Sequence, residues 1–362
     1  MADELIDLDD SPRSASLWNE IVDASPEAWF WATRAMHEYR VEYYKSTGRF
    51  IADRSFALIR DGRPRGLAPL VLGHEPHAGD IVASHMDAPL PWPMAAPGAD
   101  DPQELREALF DELEQRVRDA GAGLLRLSLA PPGVGADFAN PFAKVVRDRS
   151  FIDISHVSHC AEINSDSLSR IRGSYRRDVN KSFPNYGLDI LSKDNTPDWV
   201  ARTYMELHIK DAGRVTRPLS TFERQIDLIR QGEGFIVSAR NTASDRIVGM
   251  LIVSLHKAAA YYNSVAVDPD FERDHVSHMM QWTVFQHLIA LGVPHYELGM
   301  AAIAPSYLWQ PTKKNYGISF YKDGWSRGRT KTIWQAEKFY SRGVLERFWA
   351  RKKEDLCQHF GL

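Results

Sequence analysis

The stretch from Ile247 to Gly299 limits most tightly what this chain can become. Ile247-Val-Gly-Met-Leu-Ile-Val-Ser-Leu255 is apolar and β-branched, which suits a strand buried on both faces. After a short His256-Lys-Ala-Ala connection, Ala260-Tyr-Tyr-Asn-Ser-Val-Ala-Val267 gives a second strand. Asp268-Pro269 ends it, because proline has no N–H to offer the ladder. The pair predicts an antiparallel hairpin. From Val276 the period changes: Val276, Met279, Met280, Val284, Leu288 and Leu291 fall on one helical face until Gly292. Pro294-His-Tyr-Glu-Leu-Gly299 is too short for another helix and returns as a strand, so the helix must lie across the sheet just made.

The rest of the chain has to be organised around that unit. At 362 residues it exceeds what one core usually serves, and two domains are expected. A hydrophobic content of 44% indicates ordinary globular cores. A net charge of −4 argues against global attraction to nucleic acid or anionic membrane, leaving local patches as the alternative. Cys160 and Cys357 cannot build a disulfide framework. The acidic start, Met-Ala-Asp-Glu-Leu-Ile-Asp-Leu-Asp-Asp10, has no apolar core for a targeting signal, and no apolar run is long enough to span a bilayer. The expectation is a cytoplasmic protein without membrane insertion.

In chain order, residues 1–12 read as disordered, and Leu17 to Tyr44 as helices divided at Ser25-Pro26. Ser55 to Leu72 reads as a hairpin turning at Asp61-Gly62, the counterpart of the hairpin at Ile247. Asp87-Ala-Pro-Leu-Pro-Trp-Pro-Met94 reads as an extended loop. A helix from Asp101-Pro102 to Gly121 and a strand Leu124–Leu129 then repeat the order hairpin, helix, glycine, strand, an internal duplication. The proline- and glycine-rich Ala130–Gly135 leads to the boundary, giving domains 13–150 and 151–331. Asp166 to Lys181 reads as helix, Gly187–Ile190 as strand, Trp199–Ala212 and Thr221–Gln231 as helices, and Phe235–Ala239 as strand. Ile318-Ser-Phe-Tyr-Lys322 is expected as a terminal strand, and residues 332–362 as a C-terminal helix.

With these pieces in place the second half resembles the Fem-type, FemAB-like aminoacyltransferases of the broad GNAT-like N-acyltransferase class. The resemblance is carried by Arg172-Gly-Ser-Tyr-Arg-Arg-Asp-Val-Asn-Lys181, Asp211-Ala-Gly-Arg214, Ile247–Ile252, Ala260-Tyr-Tyr-Asn263, Tyr296-Glu-Leu-Gly299 and Tyr321-Lys-Asp-Gly-Trp325. It implies an α/β (α+β) fold with two tandem GNAT-like domains, each a mixed, mostly antiparallel sheet flanked by helices. It also implies transfer of an acyl or aminoacyl group onto an amine.

Amide formation needs a neutral amine beside an activated carbonyl, and donors aimed at the oxygen that turns negative. The resemblance puts an aromatic–lysine pair on the last strand, here Tyr321-Lys322, with Lys322 to bind a donor phosphate or steady the oxyanion; otherwise it is an edge lysine. Arg176, Arg177 and Lys181 follow Arg172 on a helix and suit phosphates of a nucleotide-linked substrate or tRNA, or else form a solvated face. Tyr261, Tyr262 and Asn263 alternate on a strand, so one tyrosine can line an acceptor pocket. His208 near Arg214 is a candidate acceptor of the amine proton, or a packed helix residue. Glu297 is a candidate to orient the amine, or an edge residue. His74-x-x-His77, His156-x-x-His159 and His275-x-x-His278 lack the further ligands zinc requires, and no metal is expected.

Acetyl-CoA-dependent GNAT enzymes hold pyrophosphate on a glycine-bearing turn before the helix that follows the central hairpin. Here that place reads Asp268-Pro-Asp-Phe-Glu-Arg-Asp-His-Val-Ser277, acidic and without glycine. Pro97-Gly-Ala-Asp-Asp-Pro102, its equivalent in the first half, is acidic too. The leading expectation is an amide-forming transferase with no bound cofactor. Its co-substrate is aminoacyl-tRNA or acyl-CoA, and its acceptor a small-molecule amine such as a cell-envelope precursor, an amino sugar or a peptide natural product. The basic residues from Lys322 to Lys353 favour tRNA as a partner. The alternatives are an acyl-CoA-dependent N-acetyltransferase and a non-catalytic tandem binding module.

Overall fold

The structure is a computed structural model that describes residues 3–75, 80–86, 88–96, 102–129, 141–306 and 308–362. His77, the loop reading at Ala130–Gly135 and most of the acidic Pro97–Pro102 segment lie outside the described residues. The chain divides into two compact units, one of Met1–His156, Ala304–Thr312 and Thr332–Leu362, the other of Val157–Ile303 and Lys313–Lys331.

The first unit begins β1 (Glu4–Asp7), α1 (Pro12–Ala24), α2 (Arg34–Ser46), β2 (Phe50–Asp53), β3 (Phe56–Arg60), β4 (Arg63–Ala68), β5 (Val71–Glu75) and β6 (Asp80–Ala83). It continues β7 (Leu90–Pro91), β8 (Met94–Ala95), α3 (Pro102–Asp119), β9 (Leu124–Ser128), α4 (Pro141–Asp148) and β10 (Ile152–Asp153). Next come β11 (His156–Glu162), α5 (Ser167–Arg170), α6 (Gly173–Ser182), β12 (Tyr186–Leu191), α7 (Val200–Ala212), α8 (Leu219–Arg230), β13 (Gly234–Asn241) and β14 (Arg246–His256). β15 (Ala259–Val267), α9 (Val276–Leu291), β16 (His295–Met300), α10 (Lys313–Ser326) and β17 (Thr330–Ile333) follow. The chain then re-enters the first unit as β18 (Gln335–Phe339) and α11 (Arg342–Phe360).

The first unit holds two sheets, ordered β1-β3-β4-β8 and β10-β18-β9-β6-β5-β2, with β7 also paired to β9. The acidic start, expected to be disordered, is an edge strand: β1 pairs antiparallel with β3, and Asp3 and Asp7 find Arg60 and Arg116. Ser25 closes α1 instead of capping the next helix, whose cap is Thr33. Trp18 explains the wider gap, since its indole donates to Ala32 O at 2.8 Å and draws Phe30–Ala32 into a separate turn. The Asp61-Gly62 hairpin forms as β3–β4 but ends at Ala68. Pro69 breaks the ladder, and β5 leaves for the other sheet. The expected extended loop supplies β7 and β8.

In the second unit one seven-stranded sheet runs β12-β13-β14-β15-β16-β11-β17. The central hairpin forms as β14–β15, and α9 crosses the sheet as its spacing predicts. Val276, Met279, Met280, Val284 and Leu288 are buried, each worth about 1.5–3 kcal/mol. Leu291, expected on the same face, is half exposed. On the other side α7 and α8 cover Ile236, Met250, Ile252 and Ala266.

Three expectations give way here. Ile318–Lys322 is no strand but the middle of α10, because Tyr321 and Trp325, at helical spacing, enter the α9 core. Residues 330–339 form β17 and β18, so the last helix begins at Arg342. The helix expected over Asp166–Lys181 breaks at Ile171-Arg172 into α5 and α6. The element order strand, two helices, strands, helix, strand does recur in both units. By that order, however, the β3–β4 hairpin corresponds to β13–β14 and not to β14–β15.

Candidate active site

The sheet of the second unit contains a gap. β15 and β16 run parallel and pair only at Ala259↔His295, Ala260↔Tyr296 and Tyr261↔Glu297. Beyond Tyr261 the ladder stops, and β16 continues alongside β11, where Gly299 pairs with His159. A bulge in β15 opposite Ile252/Val253 accompanies the parting. Tyr261, Tyr262, Asn263, Ser264 and Val265 are only half-buried along it.

Lys322 reaches into this gap from α10. Its Nζ lies 5.7 Å from the centre of the Tyr262 ring and 2.8 Å from where a Cβ on Gly299 would stand. Gly299 has φ +90°, so glycine serves both the backbone bend and the approach of the amine. Burial pushes the Lys322 amine down to about 8, against the opposing pull of the Glu297 carboxylate. Glu297 is buried and accepts the Ser158 hydroxyl at 2.9 Å. The Tyr261 hydroxyl closes the group, 3.9 Å from that same Cβ position.

The other candidates lie elsewhere. Tyr321 seats α10 on α9: its hydroxyl donates to Ser277 O at 3.1 Å, and its ring packs against Tyr175, His278 and Trp325. Asn263 joins the α8 side, donating to Ser254 Oγ at 2.8 Å and accepting from Gln225 at 3.3 Å. His208 is edge-on to Tyr204 and Phe222 in that layer, with Nδ1 3.3 Å from the Thr216 hydroxyl. Burial first, and then Arg217, hold its pKa below the usual imidazole value. Arg176, Arg177 and Lys181 stand exposed on α6, and Arg214 is exposed after α7. Arg172, by contrast, binds Asp323 at 2.8 Å beside Lys322.

Sequence reasoning missed Ser158, His159, Ser319 and Ser326 around the lysine. His159 was visible only as part of a weak histidine pair. Among the described residues no group of His, Cys, Asp or Glu is arranged to hold a metal ion, and no helix is long and apolar enough to cross a membrane.

The acidic turn before α9 is partly neutralised, since Asp268 is buried and bound by Lys210 and Arg246 at 2.9 and 3.1 Å. In the first turn of α9, His278 lies edge-on to Tyr175 at 4.4 Å and to Tyr321 at 5.1 Å.

The acetyltransferase (GNAT) domain family matches residues 172–309. A comparison with curated protein sequences gives no match. FemX superposes with a TM-score of 0.67 at 13% identity, covering 95% of this chain and 99% of its own. L-PGS from Bacillus licheniformis gives 0.60 at 10% identity, covering 95% and 97%. A tandem GNAT protein from the clavulanic acid biosynthesis pathway gives 0.52 at 14%, covering 94% and 99%. The chain therefore carries a GNAT domain over residues 172–309 and, along its length, the fold of Fem-like tandem GNAT proteins.

Proposed function

We propose that this protein is an N-acyltransferase that forms an amide at the gap between β15 and β16, with an aminoacyl-tRNA as the donor. The observation that carries the reading is Lys322, a cation delivered against the bare backbone of Gly299 where the two strands part. In the reaction the acceptor amine attacks the donor's ester carbonyl, a C–N bond forms, and the carbonyl oxygen becomes negative. Lys322, charged below about pH 8, stabilises that oxygen. Collapse breaks the ester C–O bond, and the departing oxygen takes up a proton as the amine gives one away. Glu297 orients the incoming amine, with Tyr261 and Tyr262 as the walls. We assign the amine's proton to His208, whose pKa burial and then Arg217 hold below the usual imidazole value; it lies in the α7–α8 layer, apart from Lys322, so this assignment has the acceptor approach from that face of the sheet.

The donor assignment draws on two features of α9. Its first turn has no glycine, and its His278 ring is packed edge-on against Tyr175 and Tyr321. The exposed Arg176, Arg177 and Lys181 of α6 suit an RNA backbone, and the basic residues of α11 do so separately. The acceptor class is a small amine.

Two measurements test this. Lys322→Ala lowers turnover by more than roughly tenfold with circular dichroism unchanged; full turnover in a folded variant removes Lys322 from the chemistry. Charged tRNA binds in titrations at two salt concentrations, more weakly at the higher. Micromolar binding of acetyl-CoA without salt-sensitive tRNA binding leaves an acyl-CoA N-acyltransferase in its place.

A further inference from the structure

His159 on β11 is 5% exposed, and both of its ring nitrogens reach α10. Nε2 lies 2.8 Å from Ser319 Oγ, and Nδ1 3.3 Å from Ser326 Oγ. The Ser319 oxygen also accepts the Ala302 amide N–H at 3.0 Å, just beyond the end of β16. In a neutral imidazole one ring nitrogen donates and the other accepts, so each tautomer bonds both serines, one hydroxyl donating to the ring and the other accepting from it. The two serines are two helical turns apart on one face, and Lys322 lies between them. One ring therefore fastens α10 on both sides of the lysine, and Ser319 ties the same turn to the end of the strand bearing Glu297 and Gly299.

We infer that His159 is a positioning residue which, by holding Ser319 and Ser326, sets how deeply the Lys322 amine enters the gap between β15 and β16. The inference rests on the reading of Lys322 given above. A mere packing role would need neither two directed hydrogen bonds nor anchors flanking the lysine of the site cluster. The charged groups around the ring are Lys322 and Asp323. Asp323 is engaged by Arg172, so it does not compete for the amine. Burial first, then Asp323 pulling upward and Lys322 downward, leave His159 below the usual imidazole value, in keeping with the neutral tautomer.

The test reads the lysine directly and needs no substrate. Acylation of Lys322 by acetic anhydride is followed peptide by peptide across about pH 6 to 11 in the full chain. Wild type is half-modified near about 8. His159→Leu moves that midpoint upward by about one pH unit or more, toward the 10.5 of an ordinary lysine. His159→Gln, whose amide can accept from Ser319 and donate to Ser326, keeps the wild-type midpoint. The double variant Ser319→Ala/Ser326→Ala removes the anchors while leaving the ring, and gives the same upward shift should the leucine variant fail to fold. An unchanged midpoint in a folded His159→Leu or double-serine variant overturns the inference, as does a wild-type midpoint near 10.5. If the midpoint shifts as expected but Lys322→Ala keeps full turnover, the functional reading fails and the positioning role stands.

Discussion

Two places in the molecule are equivalent in element order and opposite in outcome. In the second unit β15 and β16 begin as a parallel pair and part after three positions, and Lys322 enters the opening. In the first unit β6 and β9 begin in the same way, at Val82↔Leu124 and Ala83↔Leu125. There β9 then finds another partner: β7 pairs with it at Leu90↔Leu127 and Pro91↔Ser128, and Trp92 N–H donates to Ser128 O at 2.9 Å. The segment Leu90-Pro-Trp-Pro-Met94 thus closes the place that the second unit leaves open. The cations differ in the same sense. Arg126 on β9 is held between Glu75 and Glu337; burial opposes its charge, but the two carboxylates outweigh burial and raise its pKa. Lys322 has weaker compensation and stays within reach of titration. One framework therefore gives a paired, charge-compensated strand in one unit and an opening entered by a titratable lysine in the other.

The sharpest way to break this comparison is Trp92→Ala. The indole is 2% exposed and edge-on to Phe110 at 4.9 Å, so its removal costs about 3–5 kcal/mol of stability while turnover per folded molecule is unchanged. Lost turnover with stability retained would move part of the site into the first unit. Next in size is the pH profile. Since burial lowers the Lys322 pKa to about 8, its charged form prevails below that pH and vanishes above it. Turnover therefore falls on the alkaline side, by up to about tenfold per pH unit, and a flat profile to pH 10 contradicts the role given to the ammonium.

Gly299→Ala separates function from stability. The added methyl meets the tip of a flexible lysine at 2.8 Å and lies in ordinary contact with the Tyr261 hydroxyl at 3.9 Å, and the positive φ costs about 1–2 kcal/mol. Displacing the amine should nonetheless cut turnover severalfold more than the melting shift accounts for, and proportional losses would argue otherwise. The smallest effect lies in the first unit, at Asp53. Burial raises its pKa, but His37 at 2.5 Å and the Ser55 hydrogen bonds more than offset this and leave it depressed. A depressed carboxyl contributes stability above its unfolded value of about 3.9 and loses it as pH falls below. Asp53→Asn should flatten the acid limb of the melting curve, and an unaltered limb would place the acid sensitivity elsewhere.

Much of the second unit was legible because its period is strong and local. The β14–β15 hairpin and the face of α9 follow from side-chain spacing alone. Tyr321-Lys322 was found by resemblance yet put on the wrong element, since Ile318-Ser-Phe-Tyr alternates like a strand while its helix is stabilised by Trp325 and Ser319 meeting distant residues. Ser158, His159 and Ser326 carry no local signal: their partners are 139 to 167 residues away in sequence. In the first unit Pro69 diverts β5 to another sheet, a choice set by tertiary pairing. Trp334 and Tyr340, apolar at plausible helical positions, were drawn into a helix reading because nothing nearby announces that β9 awaits a partner.

That partner has a consequence for the order of folding. β18 pairs with β9 through Gln335↔Ser128 to Phe339↔Leu124 and also carries β10, so it is an interior strand joined across about 200 residues. While the chain emerges from the ribosome, the seven-stranded sheet of the first unit has an empty interior slot until Gln335–Phe339 has been made. The second unit, whose own strands span only residues 156–333, can be complete first. Folding by domains usually runs from the N-terminus; here the unit that begins with β1 should be the last to acquire protease resistance, with one edge of β9 unpaired until β18 arrives.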